Sequence, residues 1–341
     1  DEPTSSLSEQ EVDVLFNIMR ELTATGISIV YISHRLEELM RIGDFVTIFR
    51  DGKLVADAAV KDIDVPWIVK QMVGEGKSYP KRDVAVDWDK QENVLEVKNL
   101  SLPKNGGGYL LNNVSFNLKK GEILGIYGLL GAGRTEIFEC IMGMRPNHTG
   151  DIILNGKKIE IQSVADQIDK GFAWLPEDRQ REGLVQTMSI AKNIALSNIG
   201  KYTNPLGLID KNKEDAAEAE MIKDVHIKVA DKDLPILSLS GGNQQKVVFA
   251  KGALTNPQIM LLDEPSRGID IGAKTEIFHL IYQYAKRGVS LLVISSELEE
   301  IIAIADRILV LSNGIKTAEL TGDDITQDNL VKASYMGHKA N

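Results

Sequence analysis

The sequence has one cysteine in 341 residues, Cys140, which excludes an internal disulfide and most metal sites built on several thiolates. Its setting, Glu139-Cys140-Ile141-Met142, predicts a buried thiol on a helix. Long apolar runs are also missing. None approaches the roughly 18 residues that a membrane-crossing helix needs, and no basic-then-apolar stretch opens the sequence, so a cytosolic chain is expected. Positive charge is in deficit: 39 Lys and Arg stand against 49 Asp and Glu, for a net charge of −10. General nucleic-acid binding needs a cationic footprint and is disfavoured. Nucleotide binding is not, because glycine loops and helix dipoles hold phosphate locally. What is present is an ordinary globular composition, 43% hydrophobic and 26% charged, long enough for a large core and more than one domain.

Three stretches carry chemistry. Ile123-Leu124-Gly125-Ile126-Tyr127 is an apolar strand that runs into Gly128-Leu129-Leu130-Gly131-Ala132-Gly133-Arg134-Thr135 and then a helical pattern, the order of a phosphate-binding loop. Leu239-Ser240-Gly241-Gly242-Asn243-Gln244-Gln245-Lys246 opens a second helix. Ser240 is a good N-cap there, and the two glycines let an anion approach the positive end of the helix dipole; an ordinary capped helix has the same local pattern. Ile259-Met260-Leu261-Leu262 ends in Asp263 and Glu264, two carboxylates at the end of a buried-type strand, where parallel sheets bind ligands.

In this order and spacing the three stretches resemble the ATPase domain of ABC transporters. The LSGGNQQK form, with Pro176-Glu177-Asp178-Arg179 between the loop and the signature, is similar to the tandem-ATPase subunits of ribose- and galactose-type sugar importers. The resemblance implies an α/β fold, a P-loop NTPase of ABC ATPase type, with a mixed sheet core, an antiparallel β-subdomain starting near Val94 and a helical signature subdomain over Met188–Ile199 and Lys211–Asp224. The run Lys213–Glu218 is expected to be a solvated helix face.

The implied cofactors are ATP and Mg2+. Gly128, Gly131, Ala132, Gly133, Arg134 and Thr135 would hold phosphate, Thr135 and Asp263 the magnesium ion, and Glu264 the attacking water. Tyr109 is a candidate for stacking on adenine, or a half-buried strand tyrosine. Ser240, Gly241 and Gly242 would face a nucleotide held by another ATPase domain, since such domains pair head to tail. Glu177 stands where the wider family has glutamine, and a carboxylate only accepts hydrogen bonds; its loop faces a membrane partner by resemblance, or is simply solvated.

Asp1-Glu2-Pro3-Thr4 aligns with Asp263-Glu264-Pro265-Ser266 at an offset of 262 with no gap, and Phe16 then meets Phe278, Gly26 meets Gly288 and Asp44 meets Asp306, an internal repeat. A Walker B pair needs a preceding strand and a glycine loop to serve, so the chain reads as a fragment. Residues 1–76 are expected to be the C-terminal remnant of a first ATPase domain with a strand over Ile29–Ser33, residues 77–93 a charged linker, and residues 94–341 a whole second domain. By resemblance Glu2 and His34 are catalytic residues of the first site and Asp1 its magnesium ligand.

Two departures weaken the second site. Arg134 replaces the expected lysine, and a planar fork does not reproduce a compact ammonium. Ser296 stands where the repeat has His34, and a short serine is not expected to span the gap between γ-phosphate and Glu264. The chain alone is expected to hydrolyse ATP weakly or not at all. The resemblance implies an energy-coupling ATPase at the cytoplasmic face of the membrane, peripheral to a permease fed by a sugar-binding protein, with no nucleic-acid partner. A non-transport ABC protein acting on ribosomes or DNA, or a nucleotide-binding regulatory module without turnover, are the alternatives.

Overall fold

The structure, a computed structural model, describes residues 3–4, 9–33, 36–50, 53–65, 67–68, 71 and 86–337. The chain divides into two compact units, Asp1–Ser78 with Asp270–Thr275, and Tyr79–Ile269 with Glu276–Asn341. In the first, the helix Glu9–Ala24 buries Val12, Phe16 and Met19 along one face, the four-and-three spacing of an amphipathic helix. The Tyr31 ring meets Phe16 edge-on at 6.2 Å between centroids. A short helix, Leu36–Ile42, leads into an antiparallel hairpin of β1 (Phe45–Arg50) and β2 (Lys53–Ala59). The strand expected over Ile29–Ser33 does not form among the described residues. A strand exists through its ladder partners, and here none pairs with it; Val30 is left 90% exposed.

The second unit is layered. Among the described residues a six-stranded sheet has the order β12-β11-β5-β10-β9-β8, made of β5 (Ile123–Gly128), β8 (Phe172–Leu175), β9 (Ile259–Asp263), β10 (Ser290–Ile294), β11 (Arg307–Ser312) and β12 (Ile315–Thr321). All pairs are parallel except β11 with β12. Every residue of β5, β9, β10 and β11 is buried, which is why these strands read as continuous apolar runs rather than alternating ones. Alternate residues still go to opposite faces. Met260 and Leu262 pack with the helices Gly241–Ala253 and Ile271–Lys286. Ile259 and Leu261 pack with Ile137, Phe138 and Cys140 of the helix Arg134–Ile141. Cys140 is fully buried, as its setting predicted, and burial pushes its thiol up to about 12.

Against that second face lies an antiparallel sheet of order β4-β3-β6-β7, from β3 (Asn93–Pro103), β4 (Tyr109–Lys119), β6 (Thr149–Leu154) and β7 (Lys157–Lys158). The helical layer holds Ile190–Ala195 and Lys211–Asp224. Lys213–Glu218 is not a solvated face: Glu214 and Glu218 are buried, Lys211 pairs with Glu214 and Lys232 with Glu218. Lys211 compensates Glu214 from three residues before it on the same helix, as helical spacing allows, whereas Lys232 reaches Glu218 from beyond the helix, a pairing that the helical pattern does not encode.

Candidate functional site

β5 ends at Gly128, and the helix Arg134–Ile141 starts six residues later. Two glycines let the intervening loop lie close. A Cβ on Gly128 would stand 2.5 Å from the Leu311 carbonyl oxygen, and one on Gly133, at φ +96°, 2.7 Å from Leu111 Cδ2. The Ala132 amide donates inward to the Leu129 carbonyl at 3.0 Å, and the Ala132 carbonyl accepts from Gly314 N at 3.1 Å. Gly131, at φ +78°, has open space around it. The loop therefore holds its shape while presenting backbone N–H groups at a helix N-terminus, which suits an anion.

Across from the loop, β9 carries Asp263 and is followed by Glu264. Asp263 is 1% exposed, and neither of its carboxylate oxygens has a hydrogen-bond partner among the described residues. Burial pushes its carboxyl up to about 7, with the Thr135 hydroxyl pulling the other way. A carboxylate stripped of water and left unpaired is stabilised by a cation. Among the described residues no group of three or more His, Cys, Asp and Glu gathers as a metal cage. One carboxylate and one hydroxyl are the sparse protein donors with which Mg2+ is held when phosphate and water complete its shell.

Glu264 sits at φ +46°, in the left-handed region where a non-glycine residue is strained by about 1 kcal/mol or more. Its amide donates to the Ile294 carbonyl at 3.0 Å. Its side chain is held from two sides. Oε2 accepts from Ser296 N at 3.0 Å and Ser296 Oγ at 3.1 Å, and Oε1 faces Arg134 Nη1 at 3.3 Å. Ser296 thus meets Glu264 at one end of the gap that it was not expected to span: the backbone after β10 brings its amide and hydroxyl to the carboxylate. These residues, with Tyr127, Gly128, Leu130, Glu177 and Arg267, line a cavity of about 320 Å³. Inside it the Glu177 carboxylate pairs with Arg267. Tyr109 starts β4 and is 57% exposed, two residues before the Leu111 that abuts Gly133.

Ser240, Gly241 and Gly242 lie outside this cavity, at the start of the helix Gly241–Ala253. Ser240 occupies the N-cap position, but its side chain makes no cap bond. Its Oγ accepts instead from Asn243 Nδ2 at 3.1 Å, while Asn243 Oδ1 accepts from Lys228 N at 3.0 Å. The capping expectation is corrected by this competition: Asn243, one turn on, uses the oxygen that would have capped. The helix N-terminal amides are not covered by a side-chain cap. Lys246, nearly fully buried, anchors the helix by pairing with Glu276 at 2.6 Å and donating to the His226 carbonyl at 2.9 Å.

Asp1, Glu2 and His34 lie outside the described residues. A neighbouring feature of their repeat is nevertheless visible. Thr4 Oγ1 donates to Glu38 Oε2 at 2.7 Å, and 262 residues on Ser266 Oγ donates to Glu300 Oε2 at 2.5 Å. Glu300 also accepts from Ser295 Oγ at 2.9 Å, so a buried carboxylate ties the residues after Glu264 to the residue before Ser296. Glu300 was not singled out in the sequence; its pattern there is that of any glutamate on a helix face.

The family model described as ABC transporter matches residues 111–267. Over 340 residues, 99% of this chain and 66% of the relative, the chain is 43% identical to the ribose import ATP-binding protein of Oceanobacillus iheyensis. Over 336 residues, 98% of this chain and 64% of the relative, it is 44% identical to the galactose/methyl galactoside import ATP-binding protein of Clostridium perfringens. The chain thus spans about two thirds of the length of these relatives. A nucleotide-free ATP-binding cassette from an ABC transporter has the same fold, with a TM-score of 0.62 at 21% identity over 70% of this chain and 96% of that one.

Proposed function

The chain belongs to the family of ABC transporter ATP-binding proteins, and from that premise we propose that it binds ATP with magnesium and couples its hydrolysis, within an importer, to passage of a monosaccharide through a separate permease. The observation that carries the nucleotide part is the unpaired, buried Asp263 beside Thr135 and opposite the glycine loop. Relatives named for ribose and galactose import support the sugar class.

In this reading the amides of Gly131, Gly133, Arg134 and Thr135 bind and orient the phosphates, that of Ala132 being taken by the Leu129 carbonyl, and Thr135 and Asp263 hold the metal ion. When bound, Mg2+ neutralises charge building on the phosphates. Glu264 is the acceptor for the proton of the attacking water, and it serves only when released by Arg134. Tyr109 offers its exposed ring to adenine. Ser240, Gly241 and Gly242 serve a nucleotide on another ATPase domain, paired head to tail. Residues 1–76 repeat the C-terminal part of an ATPase domain, with Glu2, His34 and Asp1 in the roles of Glu264, Ser296 and Asp263. Residues 77–93 link it to a second domain over 94–341. Among the described residues no helix is long and apolar enough to cross a membrane, consistent with a peripheral place at the cytoplasmic face, beside a permease that a sugar-binding protein supplies.

A specific observation favours a second reading, in which the Asp263–Glu264 site holds nucleotide without turning it over: Glu264 already has Arg134 and Ser296 as partners. One experiment separates the possibilities. Magnesium-ATP is titrated into this chain and into an Asp263→Ala, Thr135→Ala variant, and turnover of both is then measured. Binding lost in the variant, with negligible turnover by either, supports the holding site. Turnover by the unaltered chain that the variant loses supports an active one, and no binding to the unaltered chain overturns the nucleotide assignment.

A further inference from the structure

The loops that follow β8 and β9 are fastened to each other at two points, neither of which the phosphate-binding motifs require. Arg179 opens a π-helical turn, Arg179–Gly183, whose start is fixed by Asp178 Oδ1 accepting from the amides of Gln180 and Arg181 at 3.0 and 3.1 Å. So held, the Arg179 guanidinium donates from Nη1 to the Arg267 carbonyl at 2.8 Å and from Nη2 to the Gly268 carbonyl at 3.0 Å. The Arg267 side chain returns the contact by pairing with Glu177, two residues before Arg179. Arg179 also lies against the signature helix: a Cβ on Gly241 would stand 2.9 Å from Arg179 Nη2 and 3.3 Å from the Gly268 carbonyl oxygen. No carboxylate bonds to Arg179 among the described residues, and its Nε is buried without a partner. A rigid, always charged fork spent on two carbonyls fixes geometry in a way that a lysine does not.

We propose that Arg179 is a positioning residue that transmits occupancy of the Glu264–Arg267 cavity to the signature residues Ser240, Gly241 and Gly242. The proposal rests on reading that cavity as the phosphate end of a nucleotide site. Arg267 lines the cavity, and a polyphosphate arriving there competes with Glu177 for its guanidinium. The Arg267 backbone cannot follow its side chain without carrying the two carbonyl bonds to Arg179, and Arg179 cannot move without pressing on or leaving Gly241. The state of one nucleotide site thereby reaches the surface offered to another.

The test is amide hydrogen exchange on this chain with and without magnesium-ATP, alongside ATP titration, for the unaltered chain, Arg179→Ala and Arg179→Lys. In the unaltered chain ATP is expected to change exchange over residues 240–245 by roughly threefold or more. In Arg179→Ala that change is lost, while the ATP dissociation constant and the protection of the glycine loop stay as before; Arg179→Lys, with one carbonyl in reach, falls between. A residue that merely supports the fold would instead raise exchange throughout and weaken binding. If Arg179→Ala does not fold, Arg179→Lys carries the comparison. A signature response that survives both substitutions, or none in an unaltered chain that does bind ATP, overturns the proposal. No ATP binding by the unaltered chain overturns the nucleotide assignment itself, and this proposal with it.

Discussion

Arg134 Nη1 faces Glu264 Oε1 at 3.3 Å, with the two side chains only 12% and 8% exposed. The cation of the glycine loop and the carboxylate proposed to take a proton from water are therefore each other's partner. A pair this far from water is screened little by salt, and an incoming phosphate must compete with Glu264 for Arg134. The planar guanidinium bridges to Glu264 where a compact ammonium on a flexible stem would turn toward the phosphates.

Arg134→Lys is accordingly expected to tighten magnesium-ATP binding by about tenfold, or about 1.4 kcal/mol, measured by calorimetric titration. Weaker binding by the variant would mean that Arg134 itself grips the phosphate and that its contact with Glu264 is incidental.

In the proposed site Asp263 sets function against stability. Because its buried carboxyl lacks a partner, Asp263→Asn removes an uncompensated charge at pH 8 and is expected to raise the nucleotide-free melting temperature by roughly 2–4 °C. The same variant should lose the magnesium dependence of ATP binding. A melting temperature that falls would show that the unpaired carboxylate is stabilised by solvent or by an ion in the resting chain.

The helical layer is clasped to the core by Asp224, which accepts from Arg287 Nη1 and Nη2 and from the Tyr284 hydroxyl, each at 2.7 Å. The Arg287 guanidinium holds the Asp224 carboxyl below its ordinary value of 3.8. The folded chain then binds fewer protons here than the unfolded one, so the stability contributed is complete above about pH 5 and lost as pH falls through the folded value. With Arg287 half exposed, screening keeps the contribution small. Asp224→Asn is expected to lower the melting temperature by about 2–4 °C at pH 7, a gap that closes as the pH is taken below 4. A gap that persists at low pH would assign the effect to lost hydrogen bonds rather than to charge.

Much of this architecture is legible in the sequence, because it is carried by local pattern. Helix Glu9–Ala24 and helix Ile271–Lys286, helix Leu36–Ile42 and helix Leu298–Ile304, β1 and β11, and β2 and β12 all match at the same offset of 262 residues. The repeat read from letters is thus a repeat of elements. The buried strands β5 and β9 announce themselves as apolar runs ending in glycine or acid. The strand expected over Ile29–Ser33 failed for a reason outside the stretch itself, since its counterpart β10 is a strand only between β5 and β9. Ser240 failed as a cap because Asn243 took its oxygen, and Arg179, Arg267 and Glu300 passed unassigned because each has a partner 34 to 90 positions away. Side-chain geometry across such separations leaves no periodic trace.

The contact between Arg307 and Glu122 tests whether the scaffold and the site can be separated. Glu122 is fully buried just before β5, and Arg307 at the start of β11 donates from Nε to Oε1 at 2.8 Å and from Nη2 to Oε2 at 2.9 Å. The same guanidinium reaches the Asn117 side chain and carbonyl on β4, at 3.1 and 2.7 Å, and pairs with Glu319 on β12. One cation therefore joins the antiparallel sheet to the six-stranded one. Arg307→Ala leaves the Glu122 charge buried and uncompensated, at an expected loss of about 3–5 kcal/mol in urea unfolding. Replacing both partners, Glu122→Leu with Arg307→Met, is expected to recover most of that loss, since an apolar pair needs no compensation. The pair lies at the entry of β5, and the glycine loop leaves from its far end. Variants that remain folded at low temperature should therefore bind magnesium-ATP as the unaltered chain does. Weakened ATP binding by the folded double variant would instead show that the far end of β5 shifts with its entry, and that this buried pair also shapes the loop.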